Sequence, residues 1–286
     1  MKNFFVITNR AKEEALEAEK KIVDYLTSKG AVVTVDDTPR DGTMGERYTD
    51  IARVSKDTDC VIVLGGDGTI LHAACDLAET TIPFLGINMG TLGYLSAVDE
   101  SNMYEALDRM LSDNYSAEHR MMLCGQTYID GKFTEEYQAL NEIVITADKA
   151  MQIAYVSIFV NGKLLHKYAA DGIIVATPTG STGYNLSAGG PIVSPSADMI
   201  ILTPVCSHSM HNRSIVFGAD DEIKIVIDEG RFGSVQKLTA VYDASHRCVL
   251  STGDYIKIGK SNKSTRLINI SQESFLDTLH NKLKDS

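Results

Sequence analysis

Apolar and polar positions along this chain change period partway through. Residues 3–8 (Asn-Phe-Phe-Val-Ile-Thr) form a short apolar run, and residues 11–29 follow at helical spacing with Leu16, Ile22, Val23 and Leu26 inward, stopped by Gly30. The pattern predicts a strand and then a helix. Further strands are expected at 31–35, 60–64 and 83–87, and helices at 69–79 and 103–111, the last capped by Ser101. Residues 36–46 turn polar around Pro39, Gly42 and Gly45, which predicts an exposed, mobile loop. Nearly all-apolar strands alternating with helices predict a parallel sheet covered on both faces, with ligands at the carboxyl ends of its strands.

Near residue 118 the period becomes two. Met122, Cys124, Gln126 and Tyr128 alternate with other residues, as do Ile153, Tyr155, Ser157 and Phe159, and Asn161-Gly162 signals a hairpin. Short strands are expected at 172–177, 199–203, 222–227, 237–242 and 255–259, with helix confined to the stretch near 182–187. This region reads as all-β. After a strand at 266–270, Phe275, Leu276, Leu279 and Leu283 form the apolar stripe of a last helix, which needs a partner surface and is expected to find it on the first domain.

With 286 residues, 44% hydrophobic and 23% charged, the chain is long enough for two modest cores. Five scattered cysteines without a C-x-x-C (Cys60, Cys75, Cys124, Cys206, Cys248) suggest neither a disulfide framework nor a zinc site, and are expected to be buried, reduced thiols. No signal peptide is seen, and no stretch approaches the roughly 20 apolar residues that span a bilayer, so a cytoplasmic protein with no membrane partner is expected. A formal net charge of −11 argues against a nucleic-acid partner, because phosphate backbones are held by clustered Lys and Arg. A phosphate ligand would then be met locally, by backbone amides and a divalent cation.

Residues 61–70, Val-Ile-Val-Leu-Gly-Gly-Asp-Gly-Thr-Ile, run from an apolar strand through a glycine turn into a helix carrying Leu71, Ala74, Cys75 and Ala78 on one stripe. Gly65, Gly66 and Gly68 would permit positive φ and close approach of a ligand to main-chain N–H groups, and a helix N-terminus favours phosphate. Asp67 would repel that phosphate unless protonated or bound to a metal ion. Taken alone, the turn equally fits a strand-to-helix connection in which Asp-Gly only satisfies turn geometry. Residues 88–93 are expected at the same sheet edge.

The densest polar cluster is residues 171–190, Asp-Gly-Ile-Ile-Val-Ala-Thr-Pro-Thr-Gly-Ser-Thr-Gly-Tyr-Asn-Leu-Ser-Ala-Gly-Gly. Hydroxyls of Thr177, Thr179, Ser181 and Thr182 could meet ribose hydroxyls and base edges, and Tyr184 offers a ring face. The alternative is a polar turn whose Ser and Thr cap their own backbone, with Tyr184 packed in a core. Together with Gly65–Thr69, Asn88–Leu95, Asn141-Glu142 and Thr203-Pro-Val-Cys-Ser-His208, this stretch resembles the NAD kinase family. The glycine turn is shared with diacylglycerol, sphingoid and 6-phosphofructo kinases; the long second motif is specific.

The resemblance implies a two-domain fold. Residues 1–117 would form a Rossmann-like α/β domain with a mostly parallel sheet, 118–265 a β-sandwich, and 266–286 a tail whose helix returns to the first domain, with the dinucleotide bound between the domains. It implies transfer of the γ-phosphoryl of ATP to the 2′-hydroxyl of the adenosine ribose of NAD, with Mg²⁺ or another divalent cation, in a homo-dimer or homo-tetramer. By the same resemblance Asp67 is the catalytic base, with metal ligation as its alternative role, and Gly68 lies beside the substrate. Asn141 and Glu142 contact the adenosine part; Asp171, Thr182, Gly183, Tyr184, Asn185, Leu186 and Ser187 supply the remaining dinucleotide contacts. His208 could be a further contact or simply structural. Three departures touch fine specificity. Ala169 stands where relatives carry a basic side chain, Gly183 replaces a common alanine, and Ser207 a common proline.

A free aspartate, with pKa ~3.9, is a weak base, but in loose phosphoryl transfer the hydroxyl proton becomes acidic late, so alignment and charge neutralisation carry most of the rate. No G-x-x-x-x-G-K-[ST] loop is present, so no P-loop lysine is available. The cation is expected to be held largely by substrate phosphates and water, without a dedicated protein metal site. Two rival functions share some of these features: a diacylglycerol- or sphingoid-type lipid kinase with the same turn, and a non-catalytic NAD(P)-binding protein. The first calls for an apolar or basic membrane-facing patch, and the second for loss of Asp67. A dehydrogenase would carry G-x-G-x-x-G after the first strand.

Overall fold

The computed structural model describes residues 1–39, 48–90, 93–96, 98–147, 152–207, 213–270 and 274–284. The chain divides into two compact units, Met1–Arg120 with Ser264–Ser286, and Met121–Lys263. The first contains β1 (Asn3–Thr8), α1 (Glu13–Ser28), β2 (Val32–Val35), β3 (Cys60–Gly65), α2 (Asp67–Asp76), β4 (Phe84–Asn88), β5 (Val98–Asp99) and α3 (Met103–Leu111). Its strands pair in parallel in the order β2-β1-β3-β4, with β5 beside β4. All six residues of β3 are buried, which explains its unbroken apolar sequence. Because β2 and β3 lie on opposite sides of β1, the winding reverses between β1 and β3. A crevice opens at such a reversal beyond the carboxyl ends of the strands, and here those ends are Thr8 and Gly65.

The helix α1 buries Ala15, Ala18, Ile22 and Leu26, whereas Leu16 and Val23 are only half-buried. The contacting face is thus rotated from the expected one, since small alanines let the helix backbone sit close to the sheet. The expected Ser101 cap is also replaced. Asp99 caps a short 3-10 turn leading into α3 by accepting the Asn102 N–H at 3.0 Å, and Ser101 Oγ donates to Asp99 instead. The polar stretch after β2 is exposed only in part where it is described, at Asp37 and Pro39. Asp36 and Thr38 are buried, and the Asp36 carboxylate accepts the N–H of Thr38 at 3.0 Å and the hydroxyl of Thr49 at 3.3 Å. Residues 40–47 lie outside the described residues.

The second unit begins within β6 (Ser116–Ile129) and continues through β7 (Lys132–Ala139), β8 (Glu142–Ala147), β9 (Ala154–Val160), β10 (Lys163–Ala170), β11 (Gly172–Ala176), α4 (Tyr184–Ser187), β12 (Met199–Val205), β13 (Ile215–Gly218), β14 (Ile223–Ile227), β15 (Lys237–Tyr242), β16 (His246–Ser251) and the first part of β17 (Tyr255–Asn269). One antiparallel sheet runs β13-β12-β11-β8-β15-β16; a second set pairs β10-β9-β14 with residues 255–258 of β17. Side chains from both enter one hydrophobic cluster that includes Ile143, Ile158, Val175, Ile200, Ile225 and Leu238. Each such buried aliphatic contributes about 1.5–3 kcal/mol. The Asn161-Gly162 hairpin forms as expected, both residues at positive φ (50° and 76°) between β9 and β10. The strands expected at 255–259 and 266–270 are one continuous strand.

The end of β17 belongs to the first unit, where Leu267 pairs in parallel with Phe84 of β4. It leads to α5 (Phe275–Lys284), whose Phe275 packs on Tyr94. The expected stripe of α5 is wrong in two places, because Leu276 and Leu283 are 69% and 62% exposed. Cys60, Cys75 and Cys248 are buried free thiols, but Cys124 is half-buried and Cys206 exposed. No helix among the described residues is long and apolar enough to cross a membrane.

Gly125 in β6 faces the buried ring of Tyr242, and a Cβ there would come within 2.6 Å of its Oη. Gly125→Ala is expected to cost about 1–3 kcal/mol by overpacking, read as a lower urea midpoint at unchanged m-value.

Candidate active site

The β3–α2 turn is built differently from its sequence signature. None of Gly65, Gly66 and Gly68 has a positive φ. Gly65 is required by close approach, since a Cβ there would overlap Thr69 Oγ1, while the places where Cβ atoms of Gly66 and Gly68 would stand are open. The helix starts two residues earlier than expected, with Asp67 as its first residue.

The Asp67 carboxylate accepts the Tyr94 N–H on Oδ2 at 2.7 Å, the Leu95 N–H on Oδ1 at 3.2 Å and the Ser96 hydroxyl on Oδ1 at 3.4 Å. The puzzle of an acid in an anion cradle is therefore resolved by backbone amides of the next loop. A Cβ on Gly93 would overlap this carboxylate, which accounts for the glycine at that position. Beside the same sheet edge, Lys12 Nζ donates to the Met89 carbonyl at 2.7 Å, and Met89 N–H donates to the Gly65 carbonyl at 3.0 Å. A cation from the start of α1 thus reaches the glycine turn, a feature the sequence reading did not find.

In the second unit, Asn141 and Glu142 open β8 and are fixed by Asp243. Its carboxylate accepts the N–H groups of Leu140, Asn141 and Glu142 at 2.6, 2.9 and 2.8 Å. The loop after β11 lies flush on this segment. Thr177 Oγ1 donates to the Leu140 carbonyl at 2.6 Å, Thr177 N–H donates to the Asn141 carbonyl at 2.8 Å, and a Cβ on Gly180 would overlap that carbonyl. Gly183 sits against the pair: a Cβ there would lie 3.1 Å from Glu142 Oε2 and 3.2 Å from Asn141 Nδ2. The glycine thus leaves room beside the Glu142 carboxylate that a Cβ would take up.

Asn141, Glu142 and Gly183 are brought together in this unit, Thr182 donates its hydroxyl to the Thr179 carbonyl at 3.3 Å, and Asp171 stands exposed just before β11. Tyr184 is 46% exposed, so its ring is not core. Leu186 and Ser187 are exposed as well. Asn185 is fully buried; its amide donates to the carbonyls of Ser181 and Pro191 at 3.1 Å, and its Oδ1 accepts the Thr203 hydroxyl at 2.7 Å. The expected row of ligand-facing hydroxyls is corrected in part. Thr177 and Ser181 are buried and bonded inward, Ser181 to the Val193 carbonyl at 3.1 Å, because an irregular loop must satisfy its own backbone. His208 lies outside the described residues. Ala169 lines a hollow with Lys167, Asp228 and Glu229, so a basic group stands two residues before the position where the resemblance led one to be expected.

Glu142 Oε2 is shielded and has no hydrogen-bond partner among the described residues, and neither has Asn141 Oδ1. Burial pushes the Glu142 carboxyl up to about 8, the nearby Asp243 charge adds to the rise, and the Tyr184 backbone N–H opposes it. A carboxyl raised in the folded state binds more protons there than in the unfolded chain, so stability from this group falls as pH climbs from about 4.5 to about 8. Glu142→Gln should remove that slope, raising Tm at pH 8.5 by roughly 3–6 °C, or about 1–2 kcal/mol, with little change at pH 5 in thermal melts.

The ATP-NAD kinase N-terminal domain model matches residues 4–115 and the ATP-NAD kinase C-terminal domain model residues 140–270. NAD kinase of Lachnospira eligens is 42% identical, covering 99% of this chain and 100% of that protein; NAD kinase of Lachnoclostridium phytofermentans is 40% identical over 100% of both. Among solved structures, yeast NADH kinase complexed with NADH superposes with a TM-score of 0.89 at 24% identity, covering 99% of this chain and 88% of that one. An NAD kinase from Archaeoglobus fulgidus in complex with ATP gives 0.74 at 24% identity, with all of both chains covered. At that identity the structures speak for the fold alone, but the two domain models and the full-length relatives go further: this chain belongs to the NAD kinase family.

Proposed function

We propose that the chain moves the γ-phosphoryl of ATP to the 2′-hydroxyl of the adenosine ribose of NAD, giving NADP. The observation that carries the assignment of its base is the clamp on Asp67, a carboxylate fixed by the Tyr94 and Leu95 amides at the reversal point of a parallel sheet. Asp67 accepts the ribose proton as the bond to phosphorus forms, and the amide contacts hold it in one orientation through that step. A carboxylate offers about four lone-pair sites. Three donors leave room for the sugar hydroxyl or for one contact to a divalent cation.

Mg²⁺ fits this donor set as a companion of the ATP phosphates, with Asp67 as the side chain that would share it. When bound, it neutralises charge on the transferring phosphoryl group. Gly68, with open space where a Cβ would stand, leaves room for substrate beside Asp67. Lys12 adds a charge-assisted donor for the ATP phosphates, the role that no P-loop lysine fills.

Asn141, Glu142, Asp171, Thr182, Gly183, Tyr184, Asn185, Leu186 and Ser187 hold the dinucleotide. The unpartnered Glu142 Oε2 and Asn141 Oδ1 and the exposed Tyr184 ring support this reading, and Asn185 serves it by shaping the turn. Finer points of the proposal are a Rossmann-like first unit, a β-sandwich second unit, a cytoplasmic location and a homo-dimer or homo-tetramer. Exposed Leu164 and Leu165 on the edge strand β10 favour self-association.

Incubation with NAD, ATP and Mg²⁺, with NADP read by an NADP-specific dehydrogenase, tests the activity; absence of product would overturn it. Asp67→Asn is expected to lower turnover by about 10³-fold or more while NAD binding, measured by calorimetry, stays within about threefold. Lys12→Met is expected to raise KM for ATP by about tenfold, the worth of one charge-assisted hydrogen bond, and to leave KM for NAD unchanged in initial-rate assays.

A further inference from the structure

We infer that the C-terminal helix α5 holds the catalytic aspartate in register through Tyr94, with Phe275 as the positioning residue. The inference rests on the reading of Asp67 as the reacting group. Segment 94–96 grips the Asp67 carboxylate with two amides and a hydroxyl. The ring of Tyr94 is held by α5: the Phe275 ring lies 6.1 Å away at 44°, and Lys282 Nζ stands 5.1 Å over the same ring. A single residue therefore receives the helix through its side chain and the carboxylate through its N–H.

The sequence of α5 is suited to this one contact. Ser274 and Asp277 form a capping box, with Ser274 N–H donating to Asp277 Oδ2 at 2.8 Å and Asp277 N–H to Ser274 Oγ at 3.3 Å. The box starts the helix at Phe275 and so fixes which residue meets Tyr94. Phe275, Thr278, Leu279 and Lys282 are half-buried and the rest of α5 is exposed, a narrow stripe three or four residues apart. No residue of α5 is fully buried. A cavity of about 80 Å³, lined by Tyr94, Ser96, Arg120, Asn269, Phe275 and Thr278, lies beside the contact. It leaves Tyr94 space to shift once the Phe275 ring is removed.

Alignment of a reacting group is steep in distance: a displacement of about 1 Å costs on the order of 10²-fold in rate. In the full-length protein, Phe275→Ala is expected to lower kcat by about tenfold or more while KM for NAD and for ATP stays within about twofold, and Phe275→Leu to recover most of the loss. Lys282→Met, which keeps the apolar stem, is expected to lower kcat by about two- to threefold at unchanged Tm. In an Asp67→Asn background, Phe275→Ala should not reduce the residual turnover further, because the group being positioned is gone. An unchanged kcat in Phe275→Ala, or an equal loss with and without the Asp67 carboxylate, would overturn the inference. If Phe275→Ala proves too unstable to assay, Lys282→Met decides, and wild-type kcat in it counts against the inference. Failure of the underlying reading looks different: Asp67→Asn alone would then keep wild-type turnover.

Discussion

The carboxylate of Asp67 and the amides of residues 94 and 95 constrain one another, and the first unit is arranged around that mutual constraint. An ionised acid at the start of a helix is already favoured by the helix dipole. Here it also closes the loop after β4, with charge-assisted hydrogen bonds worth about 1.5–3 kcal/mol each. Gly93 must lack a side chain for the approach to be possible, and Gly65 must lack one for the turn to pack on Thr69. The same interaction that folds the loop thus holds the acid in one orientation.

The second unit uses the same device with a different acid. Asp243 gathers three consecutive amides at the start of β8, and the loop after β11 is then laid on that segment by Thr177 and Gly180. The result is a carboxyl, Glu142, held in a shielded position with one oxygen unpartnered. Leaving a polar atom in that state costs stability, and such costs gather at sites where a ligand later supplies the missing partner. The elevated proton affinity of Glu142 follows from that burial and from the Asp243 charge beside it.

Much of this was legible in the chain. The apolar runs at 3–8 and 60–64 could only be buried strands, and the period-two stretches with Asn161-Gly162 could only be paired ones. Asp67, Asn141 and Glu142 were identifiable because their motifs are local. The anchors were not. Asp243 lies 101 residues from Glu142 and follows an ordinary strand end, and Lys12 reads as one more charged residue in an amphipathic helix. The inward faces of α1 and α5 were misjudged for a related reason, since a count of apolar residues ignores that alanine packs closest and that a lysine stem can cover a ring.

The sequence by itself determined which apolar runs become strands, where the two periodicities change and which family the motifs belong to, because those properties depend on neighbours a few positions away. Only tertiary structure decided how the acids are used. Whether Asp67 faces an anion cradle or takes the amides of a later loop depends on where residues 94–96 come to rest, and those lie 27 to 29 positions along the chain. Hydrogen bonds between such distant groups leave no periodic trace, since they are satisfied by the fold and not by local spacing.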